Sequence, residues 1–304
     1  MALIPLNPPA GSVAAQRRAW SGSLLLKYWH LTSLDAPTVA VAWAYAFAWT
    51  ARVPLPATAV APLGLMVWAI YIADRLLDAR AGLDKPQRCR LEERHRFHWR
   101  HRRLLGTLAA AAGVAALWMA GTHLPLRALR RDSLMGVAAL AYFSGVHGRG
   151  PRSRWVATLR AAAGRLLSRE SIVGIIFSGG CVLPVLSAAG GLGRVSTVVV
   201  VPFVVFALLA WVNLYAIEQW ESGRDGVAKL ALGVAAVLMA GAAALMWWQP
   251  RAAVVLLTAM GSALLLAGLD GMRARVDRVT LRAAADLVLL TPLIWLLPAA
   301  LVGR

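Results

Sequence analysis

Leu55-Pro-Ala-Thr-Ala-Val-Ala-Pro-Leu-Gly-Leu-Met-Val-Trp-Ala-Ile-Tyr-Ile-Ala-Asp74-Arg-Leu-Leu-Asp78 is long and apolar enough to cross a bilayer, and it closes on two acids. At a spacing of i,i+4, Asp74 and Asp78 lie on one face of the helix, one turn apart. Ionisable groups are costly near hydrocarbon, so such residues usually line an interior cavity that serves an ion or a polar substrate. Much later, Asn213, Glu218, Glu221 and Asp225 close a second apolar run. Two carboxylate clusters at matching ends of two membrane helices point to a divalent-metal site.

The rest of the composition agrees with a membrane reading. Of 304 residues, 59% are hydrophobic, and the mean hydropathy is +0.63. A soluble domain of this size needs far more polar surface. A spanning helix takes about 20 apolar residues. Nine candidate spans are centred near Trp43, Leu65, Ala112, Ala139, Ile176, Val205, Val237, Leu256 and Leu290. The expected architecture is all-α: a polytopic bundle of nine transmembrane helices forming one domain over 20–304. Residues 1–19, rich in Pro and small side chains, are expected to be a disordered tail with no cleaved leader.

The net charge of +18 is placed rather than scattered. If the amino terminus and every second loop lie on one side, 24 of the 32 Lys and Arg fall there and 7 opposite, with Arg75 inside a span. By the positive-inside rule the amino terminus is cytoplasmic and Arg304 lies outside, as in a multi-pass protein of a bacterial inner membrane. Short basic loops abutting membrane helices argue against a nucleic-acid partner. Cys89 sits in a loop and Cys181 in a span, so no disulfide joins them.

Magnesium favours hard oxygen ligands, typically one or two carboxylates together with substrate phosphates and waters. Facing clusters could hold Mg²⁺ against a diphosphate and neutralise its charge as it leaves. Lys85, Arg88, Arg90 and Arg94, after Asp78, suit phosphate oxygens. His95, His98 and His101 recur every three residues, and their arginine neighbours favour a headgroup or phosphate contact over a metal. Ser33 or Asp35 can cap the first span. Asp286, in the ninth span, is expected to pair with Arg282 one turn earlier. Tyr71, Tyr142, Phe143, Phe177, Trp211, Tyr215 and Trp220 could wall an apolar pocket and face a carbocation.

Over about Lys27 to Leu301 the chain resembles the UbiA-type intramembrane prenyltransferase superfamily. That family has nine helices, with one Asp-rich motif closing the second and another closing the sixth. Its first motif, Asn-Asp-x-x-Asp-x-x-x-Asp, compares with Ile70-Tyr71-Ile-Ala-Asp74-Arg-Leu-Leu-Asp78, so the last two acids match. In the second, Asn213 and Glu221 fall on family positions, while Ile217 stands where an Asp is expected. The resemblance implies a Mg²⁺-dependent transfer of an isoprenyl group from its diphosphate to an aromatic or other lipophilic acceptor. It implies catalytic roles for Asp74, Asp78, Glu218 and Glu221, and metal binding by Asp74, Asp78, Asn213 and Glu221. The diphosphate would meet Lys85, Arg88, Arg90 and Arg94, with Asn213, Tyr215 and Asp225 on the acceptor side. The alternative is a catalytically divergent transporter, or a lipid- or prenyl-binding protein, using the same acidic cavity.

Overall fold

A computed structural model describes residues 24–83, 93–147, 169–191, 193 and 196–302. Among them every regular element is a helix: α1 (24–31), α2 (Asp35–Ala51), α3 (Ala57–Leu83), α4 (Glu93–Arg100), α5 (Arg102–His123), α6 (Leu126–His147), α7 (Arg169–Ala188), α8 (Ser196–Glu221), α9 (Val227–Leu245), α10 (Pro250–Met272), α11 (Arg278–Val288) and α12 (Leu293–Val302). The expected tail, 1–19, lies outside the described residues.

Six of these helices are long and apolar enough to cross a membrane: residues Ala57–Gly82, Arg102–His123, Glu170–Ala188, Val198–Glu221, Val227–Leu245 and Pro250–Met272. The other three expected spans are helical but depart from the simple pattern. Helix α2 is apolar yet has only 17 residues. Helix α6 carries Arg127, Arg130, Arg131 and Asp132 in its first turns. The ninth segment is broken. Pro292 disfavours helical geometry at Thr291, and the chain turns through 289–292 between α11 and α12.

Side chains from two other helices satisfy the backbone that this break frees. Trp43 Nε1 on α2 donates to the carbonyl of Leu289 at 2.9 Å. Ser262 Oγ on α10 donates to Val288 O at 3.0 Å and lies 2.5 Å from Thr291 Oγ1. Carbonyls at a helix end need such partners where water is scarce.

The core lies among α2, α7, α8, α9 and α10, around Trp43, Phe47, Phe206, Leu209 and Leu266, each essentially inaccessible. Trp43 stacks on Phe206 with centroids 4.1 Å apart. Helices α7 and α8 approach closely because Gly174 has no side chain: a Cβ there would meet Ala207 O at 3.0 Å. Small residues at such crossings let helix backbones pack in a membrane, where tails compete equally for apolar surface. Leu117, Trp118, Leu134, Val137 and Leu140 on α5 and α6 stay exposed, as lipid-facing positions should.

Polar ties collect at one end of the bundle. Lys27 pairs with Glu93 at 2.7 Å, and Trp220 Nε1 donates to Asp270 at 2.8 Å. Arg273 bonds both Asp225 and the carbonyl of Arg224. At the opposite end, Trp49 packs against Trp295 and under Arg251. The start of α2 and the ends of α3, α8 and α10 therefore share the polar end, together with the start of α11.

Candidate functional site

The joint between α1 and α2 organises the site. Ser33 adopts φ +54°, a left-handed conformation unusual for a side chain with a Cβ, and the chain turns sharply there. Trp68 of α3 grips this turn, donating to Thr32 O at 2.9 Å. The expected cap is not formed by a side chain: Leu34 occupies the cap position, without a capping hydrogen bond. Asp35 Oδ1 instead accepts from the N–H of Ala36 at 2.9 Å, which leaves its other oxygen for His30. Ser33 serves α4, its hydroxyl lying 3.3 Å from His98 Nε2.

His98 is buried. Its Nδ1 lies 2.8 Å from the carbonyl of Arg94, which can only accept, so Nδ1 carries the proton and Nε2 accepts from Ser33. Burial lowers its pKa to about 4, with nearby Arg75 acting in the same direction. The ring is neutral at physiological pH. Of the three periodic histidines, His98 thus fastens α4 to the α1–α2 joint, a different role from the expected headgroup contact. His101 bonds Phe97 O at 2.9 Å.

The centre of the site is His30. Its Nδ1 lies 2.6 Å from Asp35 Oδ2 and 3.4 Å from Asp286 Oδ2. Burial alone would lower its pKa, but hydrogen bonds and charges from Asp286 and Asp35 outweigh that and push it up to about 9. Asp286 Oδ1 also accepts from Asn213 Nδ2 at 3.0 Å. This corrects the expected Asp286–Arg282 pair: Asp286 turns inward to His30 and Asn213, and Arg282 bonds Glu221. Residues i and i+4 share a face, but Asp286 meets the buried imidazole while the guanidinium of Arg282 is taken by Glu221.

The other expected residues divide by place. Asp74 and Asp78 are partly buried, each with partners. Tyr71 lies within electrostatic reach of Asp286, Asp35, Arg75 and Asp74, so the Asp74 turn of α3 belongs to the same neighbourhood. Asn213 is buried there as well. The remaining acids of α8 and its following turn are met by arginines: Glu218 by Arg224 at 3.3 Å, Glu221 by Arg282, and the largely exposed Asp225 by Arg273. Tyr215 packs on Trp211, with centroids 5.8 Å apart. Lys85, Arg88 and Arg90 lie outside the described residues.

Arg94 lines a cavity of about 160 Å³ with His30, Glu93, Glu221, Arg278, Val279 and Arg282. A neighbouring cavity of about 190 Å³ runs past Glu221, Arg278 and Arg282 to Trp220 and Arg273. Three arginines outnumber two glutamates along the first opening, a balance that favours anions. From Tyr71 an aromatic row leads into the bundle, through Phe177 at 6.5 Å, Phe206 at 5.8 Å and Trp43 at 4.1 Å.

Sequence reasoning missed His30 and Asp35. Both flank the entrance to the first apolar run, and Asp35 had a simpler role available as a cap. Their only signal was two ionisable groups five residues apart at a membrane-helix start. Compared with known proteins, the chain matches no family model, no curated protein and no solved structure.

Proposed function

We propose that this is an intramembrane prenyltransferase, taking an isoprenyl diphosphate with its head at the polar end and its tail among the helices. One observation carries this reading: Asp74, Tyr71, Asn213, Asp286 and His30 converge at one end of an apolar bundle, beside an arginine-lined cavity. Asp74 and Asp78 are the proposed ligands for Mg²⁺ carrying the diphosphate, a reading that the family resemblance supports. Glu221 is less suited to that ion than the motif suggests, because it is bonded to Arg282. Arg94, Arg278 and Arg282 receive the phosphate oxygens; Lys85, Arg88 and Arg90 are proposed to assist.

In the reaction the bond between the allylic carbon and the diphosphate oxygen breaks, and the electron pair leaves with the diphosphate. Mg²⁺ supplies charge neutralisation for that leaving group. The acceptor's electron pair forms the new bond to the allylic carbon, and the acceptor gives up a proton. Tyr71 and Phe177 face the cation, and the surrounding apolar side chains keep water from it.

Asp74→Asn or Asp78→Asn is expected to lower turnover of an allylic diphosphate such as farnesyl diphosphate by about 10²-fold. Thermal protection of the wild type by that diphosphate should require Mg²⁺. Equal turnover or protection in wild type and both variants would sink the metal role.

The arginine pairs on Glu218, Glu221 and Asp225 favour a second reading. Acids neutralised by arginine suit a binding or transport protein for a prenyl or lipid anion, without catalysis. Solute movement in sealed vesicles, with no transfer to any acceptor, would select it.

The proposed topology has nine crossings, with the three irregular segments completing the six long helices, and the polar end in the cytoplasm. A cysteine introduced at Arg96 should react with an impermeant thiol reagent only from the cytoplasmic side, and one at Arg304 only from outside. Labelling of both from one side would refute the odd number of crossings.

A further inference from the structure

We propose that His30, Asp35 and Asp286, with the side-chain oxygen of Asn213, bind one divalent transition-metal ion of the Zn²⁺ or Mn²⁺ kind. The site uses neither of the proposed Mg²⁺ ligands, Asp74 and Asp78, and does not depend on the prenyl-transfer reading. One donor atom from each of His30, Asp35 and Asp286 lies within 4.8 Å of the other two. Metal–ligand bonds of about 2.1 Å place neighbouring tetrahedral ligands about 3.4 Å apart. The His30–Asp286 separation is already 3.4 Å. The His30–Asp35 separation, 2.6 Å, must open by a rotation of one side chain.

Asn213 supplies an independent indication. Its residue is 2% exposed, and its Nδ2 is spent on Asp286. Its Oδ1 is closed off from solvent and has no hydrogen-bond partner. A buried amide oxygen without a partner costs about 1–3 kcal/mol, a cost that a coordinated cation removes. The carboxylates are also held by hydrogen bonds: Asp35 by the N–H of Ala36 and Asp286 by the Nδ2 of Asn213. Hydrogen bonds to a ligating carboxylate, such as that from Ala36, fix its orientation.

The donor set selects the ion. Imidazole with carboxylate and amide oxygens suits Zn²⁺ or Mn²⁺, whereas Mg²⁺ prefers oxygen alone and keeps its waters. Charge points the same way. The two carboxylates carry −2, which a dication cancels. Arg75 and Asp74, neighbours on α3, act on this region with opposite signs.

The test uses the full chain purified in detergent, stripped with a chelator and dialysed against Zn²⁺ or Mn²⁺, with bound metal measured by mass spectrometry. Wild type should hold one equivalent. His30→Gln and Asp286→Asn should each weaken binding by about tenfold or more. Asp132→Asn, at the opposite end, should bind as wild type does. Asn213→Ala removes the unpaired oxygen and decides the matter if His30→Gln fails to fold; it too should bind more weakly. Co²⁺ in place of Zn²⁺ should give visible absorption in wild type that is lost in Asp286→Asn. No bound equivalent in wild type, or equal binding in wild type, Asp286→Asn and Asn213→Ala, would overturn the proposal.

Discussion

Trp43→Ala is expected to destabilise the folded protein by about 3–5 kcal/mol, the range for emptying a large aromatic site in a tight core. Trp43 is wholly buried, stacks on Phe206, and caps the freed carbonyl of Leu289. The substitution therefore leaves both a cavity and an unpaired buried acceptor. Trp43→Phe keeps most of the volume and loses the hydrogen bond, so its cost should be smaller, about 1–3 kcal/mol. Thermal unfolding in one detergent would rank the three proteins. Equal melting of Trp43→Ala and wild type would show that the α2 contact contributes nothing to the broken segment.

Acid should loosen the polar end of the molecule through His98. Its folded pKa, about 4, lies below the ordinary 6.5. The unfolded chain therefore takes up a proton that the folded one refuses. Stability from this group is complete above pH 6.5 and declines as pH falls toward 4, by at most about 3 kcal/mol. Melting temperature measured across that window should fall in wild type. In His98→Gln the slope should be shallower, because an amide can keep the contacts with Ser33 and Arg94 without titrating. Parallel curves for the two proteins would remove His98 as the cause.

The helices were legible because their apolar runs are long and few charges interrupt them. The acidic turns of α3 and α8 were legible for the same reason, since Asp74 and Glu221 stand out at the ends of such runs. Spans were harder to count. Whether α6 crosses a bilayer depends on where its four early charges lie, and the turn at 289–292 depends on capping by Trp43 and Ser262, far away in sequence. The His30 cluster was hidden for a related reason. Its members come from residues 30, 35, 213 and 286, and only folding brings α1, α2, α8 and α11 to one point. Local spacing suggested Arg282 for Asp286, since nothing in the sequence reveals a buried imidazole waiting across the bundle.

The break between α11 and α12 has a consequence for how the chain is built into a membrane. Helix α12 is almost wholly apolar and can partition by itself, whereas α11 carries Arg278, Arg282 and Asp286. Charged side chains without partners resist insertion into lipid, less so near the ends of a span than at its middle. Alone in lipid, α11 would therefore insert less readily than α12. It gains entry when Glu221, His30 and Asn213 are already there to receive those charges. Biogenesis should accordingly finish with α11, docking against a bundle assembled from the earlier helices, so the polar cluster is completed only as the last part of the chain arrives.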